Sequence, residues 1–185
     1  MLLLGRVSLS LGLVLAVAAA AFLAYGMRTS RRDFIRNGYY ATYGFALAIV
    51  VASVVLLQAF LRSELGFAYV FENSDPSLPT FYRIAGFWAG QEGSFLLWLL
   101  MLAFVAVAIA AADLTRARRL VAGAVMVLAV NVALFAALMV LDEGSNPFLA
   151  TPAGAGAPAG LNPLLLHPGM VLHPPALFAG YVGFA

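Results

Sequence analysis

The sequence predicts an all-α, polytopic transmembrane helical bundle with four full spans and the start of a fifth. Three observations carry that prediction. The chain is 64% hydrophobic and 10% charged, against about 25% charged residues in an average soluble domain, and its mean hydropathy is +0.98. It holds four apolar runs near the length of about 20 residues that a helix needs to cross a bilayer. Its arginines are also unevenly placed, with seven of the ten in two short stretches between runs. The spans are read at residues 9–26, 39–61, 94–112, 120–141 and 174–185, all within one N-terminal transmembrane region covering 1–185.

The first run is Ala-, Leu- and Val-rich with no ionisable residue inside it. A signal peptide is the alternative, because Ala16–Ala21 resembles a small-residue cleavage site. The basic cluster follows the run instead of preceding it, which favours a retained helix. Gly12 and Gly26 stand too far apart to argue a close-packing motif. Arg28, Arg31, Arg32 and Arg36 follow this run, and Arg116, Arg118 and Arg119 follow the third. The positive-inside rule makes both stretches cytoplasmic. The N-terminus and the loops 62–87 and 142–172 then face outward, and a multi-pass protein of the bacterial inner membrane or an organelle equivalent fits.

The second run carries Tyr39, Tyr40 and Tyr43 at its cytoplasmic end, an interfacial position for aromatic rings, and Gln58 near its outer end. The loop that follows, LGFAYVFENSDPSLPTFYRIAGF, is aromatic for a linker. It reads as an interfacial segment or as part of the wall of a hydrophobic ligand cavity. Next comes Trp88-Ala-Gly-Gln-Glu-Gly-Ser94, at the mouth of the third run. Glu92 there suits the positive end of the helix dipole. Equally, a carboxylate at the edge of hydrocarbon is costly and points to a ligand, a proton or a partner. Arg83 is the expected counter-charge.

Asn131 lies in the middle of the fourth run, where an amide is expected to hydrogen-bond another helix. The stretch EGSNPFLATPAGAGAPAG reads as a flexible connector. It lacks the helix context of a phosphate loop, and the charge pattern is that of membrane topology, so neither nucleotide nor nucleic-acid binding is predicted.

Both histidines fall late in the chain. His173 precedes Pro174-Pro175 and a new apolar run, which reads as a helix start because proline fits the first turn. A neutral imidazole at a helix mouth can bind iron or serve as an interfacial hydrogen-bonding group. His167, followed by Pro168-Gly169, reads as a turn residue. No His-Glu-x-x-His or similar pattern supports a hydrolase, and with cysteine absent the chain offers no Cys-based zinc site and no cysteine nucleophile.

Three blocks resemble the CcmF-type cytochrome c heme lyases of the tryptophan-rich heme-handling superfamily. They are SDPSLPTFYRIAGFWAGQEGSFLLW, Asn146-Pro147-Phe148 and LNPLLLHPGMVLHPPALFAGYVGF. The WWD segment that normally completes the match falls beyond Ala185. The resemblance implies a membrane protein that takes heme b from a periplasmic heme chaperone and works with other maturation subunits. It would join the heme vinyl groups to the two thiols of a Cys-x-x-Cys-His motif in apocytochrome c. It also implies that His173 is an axial ligand to the heme iron, with Trp88 and Glu92 near the cofactor, and it assigns no catalytic residue. Relatives often carry histidine where this chain has Gln91, and His167 takes no heme role. Two other readings remain: a heme-handling or export protein without covalent chemistry, and an ion or solute transporter subunit using Glu92.

Overall fold

A computed structural model of the chain describes residues 1–112 and 118–184. They form seven α-helices: α1 (Leu2–Thr29), α2 (Arg32–Leu61), α3 (Ala68–Asn73), α4 (Thr80–Gly86), α5 (Gln91–Ala111), α6 (Arg118–Leu141) and α7 (Pro168–Gly183). Four of them, α1, α2, α5 and α6, are long and apolar enough to cross a membrane. The chain is therefore an all-α helical bundle of the membrane class.

Helices α1 and α2 are the centre of the packing. The buried residues of α1 include Gly5, Leu9, Gly12, Ala16, Ala19, Leu23 and Gly26, alternating steps of four and three. That is the spacing of a coiled-coil seam. Facing α2 keeps the same rhythm with Gly38, Thr42, Phe45, Ile49, Ala52, Leu56 and Ala59. A Cβ added at Gly12 would lie 3.4 Å from Ile49, and one at Gly38 would lie 2.6 Å from Leu23. One at Gly26 would meet the Ile35 backbone at 2.8 Å. Small residues on each helix thus receive large ones from the other in one unbroken antiparallel register. Between apolar helices in lipid, such close van der Waals packing is a main source of association. The early glycines of the first run do act in close packing, although as a seven-residue repeat instead of a Gly-x-x-x-Gly pair.

Around this hairpin the bundle closes as a square. Helix α1 neighbours α2 and α6, α5 also neighbours α2 and α6, and α7 lies outside against α5. Large apolar side chains such as Leu3, Val14, Leu47, Phe104 and Leu134 point outward, as expected for a surface solvated by acyl chains.

The turn between α1 and α2 is short because Ser30 takes a left-handed conformation (φ 56°) and its N–H returns to Gly26 O, a helix C-cap. Arg119 Nη2 donates to Ser30 Oγ at 3.1 Å. The start of α6 and the α1–α2 turn therefore share one end of the bundle, so the two basic stretches lie on the same side. Arg116, counted above with the second stretch, lies outside the described residues. Asn131 departs from expectation: its Nδ2 donates to Val127 O of its own helix at 2.9 Å. Local satisfaction of this kind leaves it no obligation to a neighbour.

Candidate functional site

At the other end of the bundle the two outer segments are bonded to one another. Ala68 N–H donates to Leu149 O, Thr151 N–H to Gly66 O and Ala159 N–H to Phe71 O. Thr151 Oγ1 adds a bond to Leu65 O at 2.6 Å. The Gly/Pro/Ala stretch is therefore anchored at several points, not the free connector its composition predicts. Phe148 explains part of this. It is 1% exposed, and its ring occupies the space where a Cβ at Gly5 would stand. Asn146 Oδ1 accepts from Phe148 N–H and shapes the turn that sends the ring inward.

The aromatic loop folds as α3 and α4, and its polar groups close the gaps between helices. Tyr69, 2% exposed, is its core. Its hydroxyl donates to Phe87 O at 3.2 Å and accepts from Gly90 N–H at 2.9 Å. Burial pushes the phenol well above its ordinary range, so it stays protonated and can donate. This phenol accounts for both glycines of the Gly-Gln-Glu-Gly stretch. A Cβ at Gly90 would lie 2.9 Å from the Tyr69 ring, and one at Gly93 would clash with Phe87 O and the Tyr69 hydroxyl.

Glu92 sits in the first turn of α5, as expected, and a Cβ at Gly90 would be 3.1 Å from its Oε2. Arg83 is not its counter-charge. The Arg83 guanidinium donates from Nε to Leu78 O at 2.9 Å and from Nη1 to Leu61 O, also at 2.9 Å. It closes the C-terminal end of α2, where carbonyls have no helical donors, and that geometry takes it away from Glu92. Among the described residues the ion pair is Arg36–Asp33. Gln91 Nε2 donates to Ser145 Oγ at 3.2 Å, and Ser145 Oγ donates to Asp142 Oδ2 at 2.7 Å. Gln91 therefore ties the start of α5 to the second outer segment.

Helix α7 corrects the reading of His-Pro-Pro. The helix begins at Pro168, six residues earlier, and His173 lies in its second turn. His167 is the N-cap: its Nδ1 accepts from Gly169 N–H at 3.1 Å, and Pro168 follows at the position that needs no donor. Pro174 and Pro175 are then inside the helix, where each removes a donor to the carbonyl four residues back. For Pro175 that carbonyl is Val171 O, and the Trp88 indole N–H donates to it at 3.0 Å. Tyr82 hydroxyl donates to Leu166 O at 2.7 Å just before the helix. Farther along, Trp98 packs against Phe178 at 5.7 Å and stacks on Tyr181 at 5.9 Å between ring centroids.

These contacts fix which face of α7 meets the bundle. Val171 and Val182 are buried, whereas Met170, Leu177 and Phe184 are exposed. His173 is exposed and falls on that outer stripe by helical spacing. No described residue hydrogen-bonds its imidazole. Trp88 and His173 are thus brought to one helix, two residues apart through Val171. Trp88 is engaged with the backbone, and the Glu92 carboxylate lies beside Gly90 at the start of α5. No group of three or more His, Cys, Asp or Glu side chains able to hold a metal occurs among the described residues.

Compared with known proteins, the chain is 31% identical over 186 residues to the cytochrome c-type biogenesis protein CcmF of Haemophilus influenzae, covering 98% of this chain. It is 33% identical to the cytochrome c-type biogenesis protein CycK of Rhizobium meliloti, again over 98% of the chain. By sequence, the chain belongs with the CcmF-type cytochrome c biogenesis proteins over the part of their length that it covers. That part is 28% of the first relative and 27% of the second. The cytochrome c-type biogenesis protein NrfE of Haemophilus influenzae, 33% identical over 94% of the chain, is a further relative and is covered to 28% of its length. A solved structure titled cytochrome c heme lyase CcmF shares the fold, with a TM-score of 0.79 at 23% identity; the match covers 98% of this chain and 28% of that one. No family model matches the chain.

Proposed function

We propose that this CcmF-type chain is the part of a membrane heme lyase that holds heme at the outer surface of the bilayer. The lyase attaches that heme to apocytochrome c. The observation that carries this reading is the exposed, unbonded imidazole of His173 on a helix pinned at Leu166, Val171 and Trp98, in a chain homologous to cytochrome c biogenesis proteins. Tyr82 and Trp88 fix the start of α7, so the imidazole projects from a defined position. A neutral imidazole is a good axial ligand for heme iron, and the flanking Met170 and Leu177 present apolar surface suited to a porphyrin face. These residues fit one half of an axial site.

The substrate is heme b, whose vinyl groups receive the thiols of a Cys-x-x-Cys-His motif. In each addition sulfur bonds to one vinyl carbon and the thiol hydrogen goes to the other. The absence of cysteine from this chain agrees with thiols supplied by the substrate. His173 orients the heme and leaves its vinyl edge toward the incoming peptide. Trp88 acts one step back, as a positioning residue for α7, and Glu92 borders the same end of the bundle. A periplasmic heme chaperone and other maturation subunits are the partners in this reading. The chain sits in the bacterial inner membrane with its N-terminus periplasmic and the arginine turns cytoplasmic.

The test is the absorption spectrum of the detergent-purified full-length gene product, with and without His173→Ala, alongside cytochrome c maturation in cells. Outer-site heme bands and maturation should both fall in the variant while membrane insertion persists. Normal maturation by the full-length variant would show that His173 is not the ligand.

A further inference from the structure

A second site lies at the opposite end of the bundle, away from α7. A cavity of about 550 Å³ opens between the α1–α2 turn and the facing ends of α5 and α6. Its rim carries Arg32, Arg36, Arg118 and Arg119, and its wall includes Ile35 and Ala110. Beneath it Leu23, Val121, Ala122 and Val125 form a small apolar cluster separate from the main core. Two features limit what the rim can do by itself. Arg36 bonds Asp33 at 3.2 Å in an exposed pair, which holds it only weakly, and Arg119 bonds Ser30.

Four guanidinium groups above an apolar cleft, at the level where membrane helices end, match one kind of molecule in both halves. We infer that this cavity seats an anionic phospholipid, with its phosphate against Arg32 and Arg118 and the first part of an acyl chain in the cleft. Guanidinium donors pair with phosphate oxygens in a fork geometry, and basic pockets between membrane helices bind anionic headgroups. The wall supplies what bulk electrostatics does not, a place for hydrocarbon. The lipid would bridge the α1–α2 turn and the start of α6, the two basic stretches that Arg119 and Ser30 already join. This inference is independent of the heme reading.

Native mass spectrometry of the purified chain, with phosphatidylglycerol or phosphatidylcholine added, tests it. Wild type should retain phosphatidylglycerol roughly tenfold better than phosphatidylcholine. Arg32→Gln with Arg118→Gln should abolish that preference, whereas Arg28→Gln, outside the cavity, should keep it. Ala110→Phe fills the cleft without touching a charge and should also cut retention. Unchanged retention in Ala110→Phe would reduce the effect to surface charge and overturn the site. Displacement of the lipid by millimolar inorganic phosphate would do the same, since a free anion would then suffice.

Discussion

The Trp88 indole N–H donates to the Val171 carbonyl at 3.0 Å, the very carbonyl whose helical donor is missing because residue 175 is proline. Two sequence features 87 positions apart thus answer one another. A tryptophan supplies the bond that Pro175 removes, so the Val171 carbonyl inside α7 keeps a donor.

This complementarity can be measured as a double-mutant cycle. Trp88→Phe keeps most of the ring and removes the N–H, and should cost about 1–2 kcal/mol. In a Pro175→Ala background the helix recovers its own donor, so the same change should cost much less. Thermal unfolding of the four proteins in detergent gives the coupling. Equal penalties in both backgrounds would mean that the indole matters only by its bulk.

Gly93 should be irreplaceable. An added methyl clashes with backbone at Phe87 O as well as with the Tyr69 hydroxyl, and backbone cannot swing aside. Gly93→Ala is expected to lose about 3 kcal/mol or more, read as a drop in melting temperature or in folded yield. Gly123→Ala, where nothing lies within 4 Å, should stay within about 0.5 kcal/mol of wild type.

Tyr69 predicts an alkaline limb to the stability curve. Its phenol is raised above the ordinary value of 10.0 by burial, so the folded state holds the proton longer than the unfolded one. Stability from this group is complete below pH 10 and declines above it, by at most about 1.4 kcal/mol per pH unit. Tyr69→Phe should flatten that limb, and it should cost about 1–3 kcal/mol at neutral pH because Gly90 N–H loses its acceptor. Melting temperatures from pH 8 to 11 on both proteins test this, and identical slopes would refute it.

Arg83 joins α4 to the last turn of α2 through Leu61 O and Leu78 O. Arg83→Gln should destabilise by about 1–2 kcal/mol. Arg83→Lys should recover only part of it, since one ammonium lacks the fork that reaches both carbonyls. Hydrogen exchange at the end of α2 is the local readout. Full rescue by lysine would show that charge, not geometry, is what the site needs.

Much of this architecture was legible because hydrophobic length is a direct physical demand of the bilayer. The four apolar runs lie within α1, α2, α5 and α6 but for residue 112, and each helix starts two to seven residues before its run. The seam of α1 was also present as Gly5, Leu9, Gly12, Ala16, Ala19, Leu23 and Gly26, and a search for repeats of seven would have found it. Partner choice was harder. Arg83 and Asn131 each had a sensible side-chain mate by charge or polarity, and each took backbone carbonyls instead: Leu78 O and Leu61 O for Arg83, Val127 O of its own helix for Asn131. His-Pro-Pro misled because proline marks a helix start only where no outside donor is on offer. The earlier His167-Pro168-Gly169 was the true start, and Trp88 supplies the donor that Pro175 removes.

The α1–α2 hairpin has a consequence for biogenesis. Its two helices are joined by a turn of about two residues and meet along most of their length, so every contact of their seam is available once residue 61 has been made. Contacts this local in sequence form early, because little loop entropy opposes them. The hairpin can therefore enter the bilayer as a finished pair and serve as the template on which α5 and α6 settle as they emerge. A lesion in its seam, such as a bulky residue at Gly38, would then act during synthesis, before any outer segment exists to be misplaced.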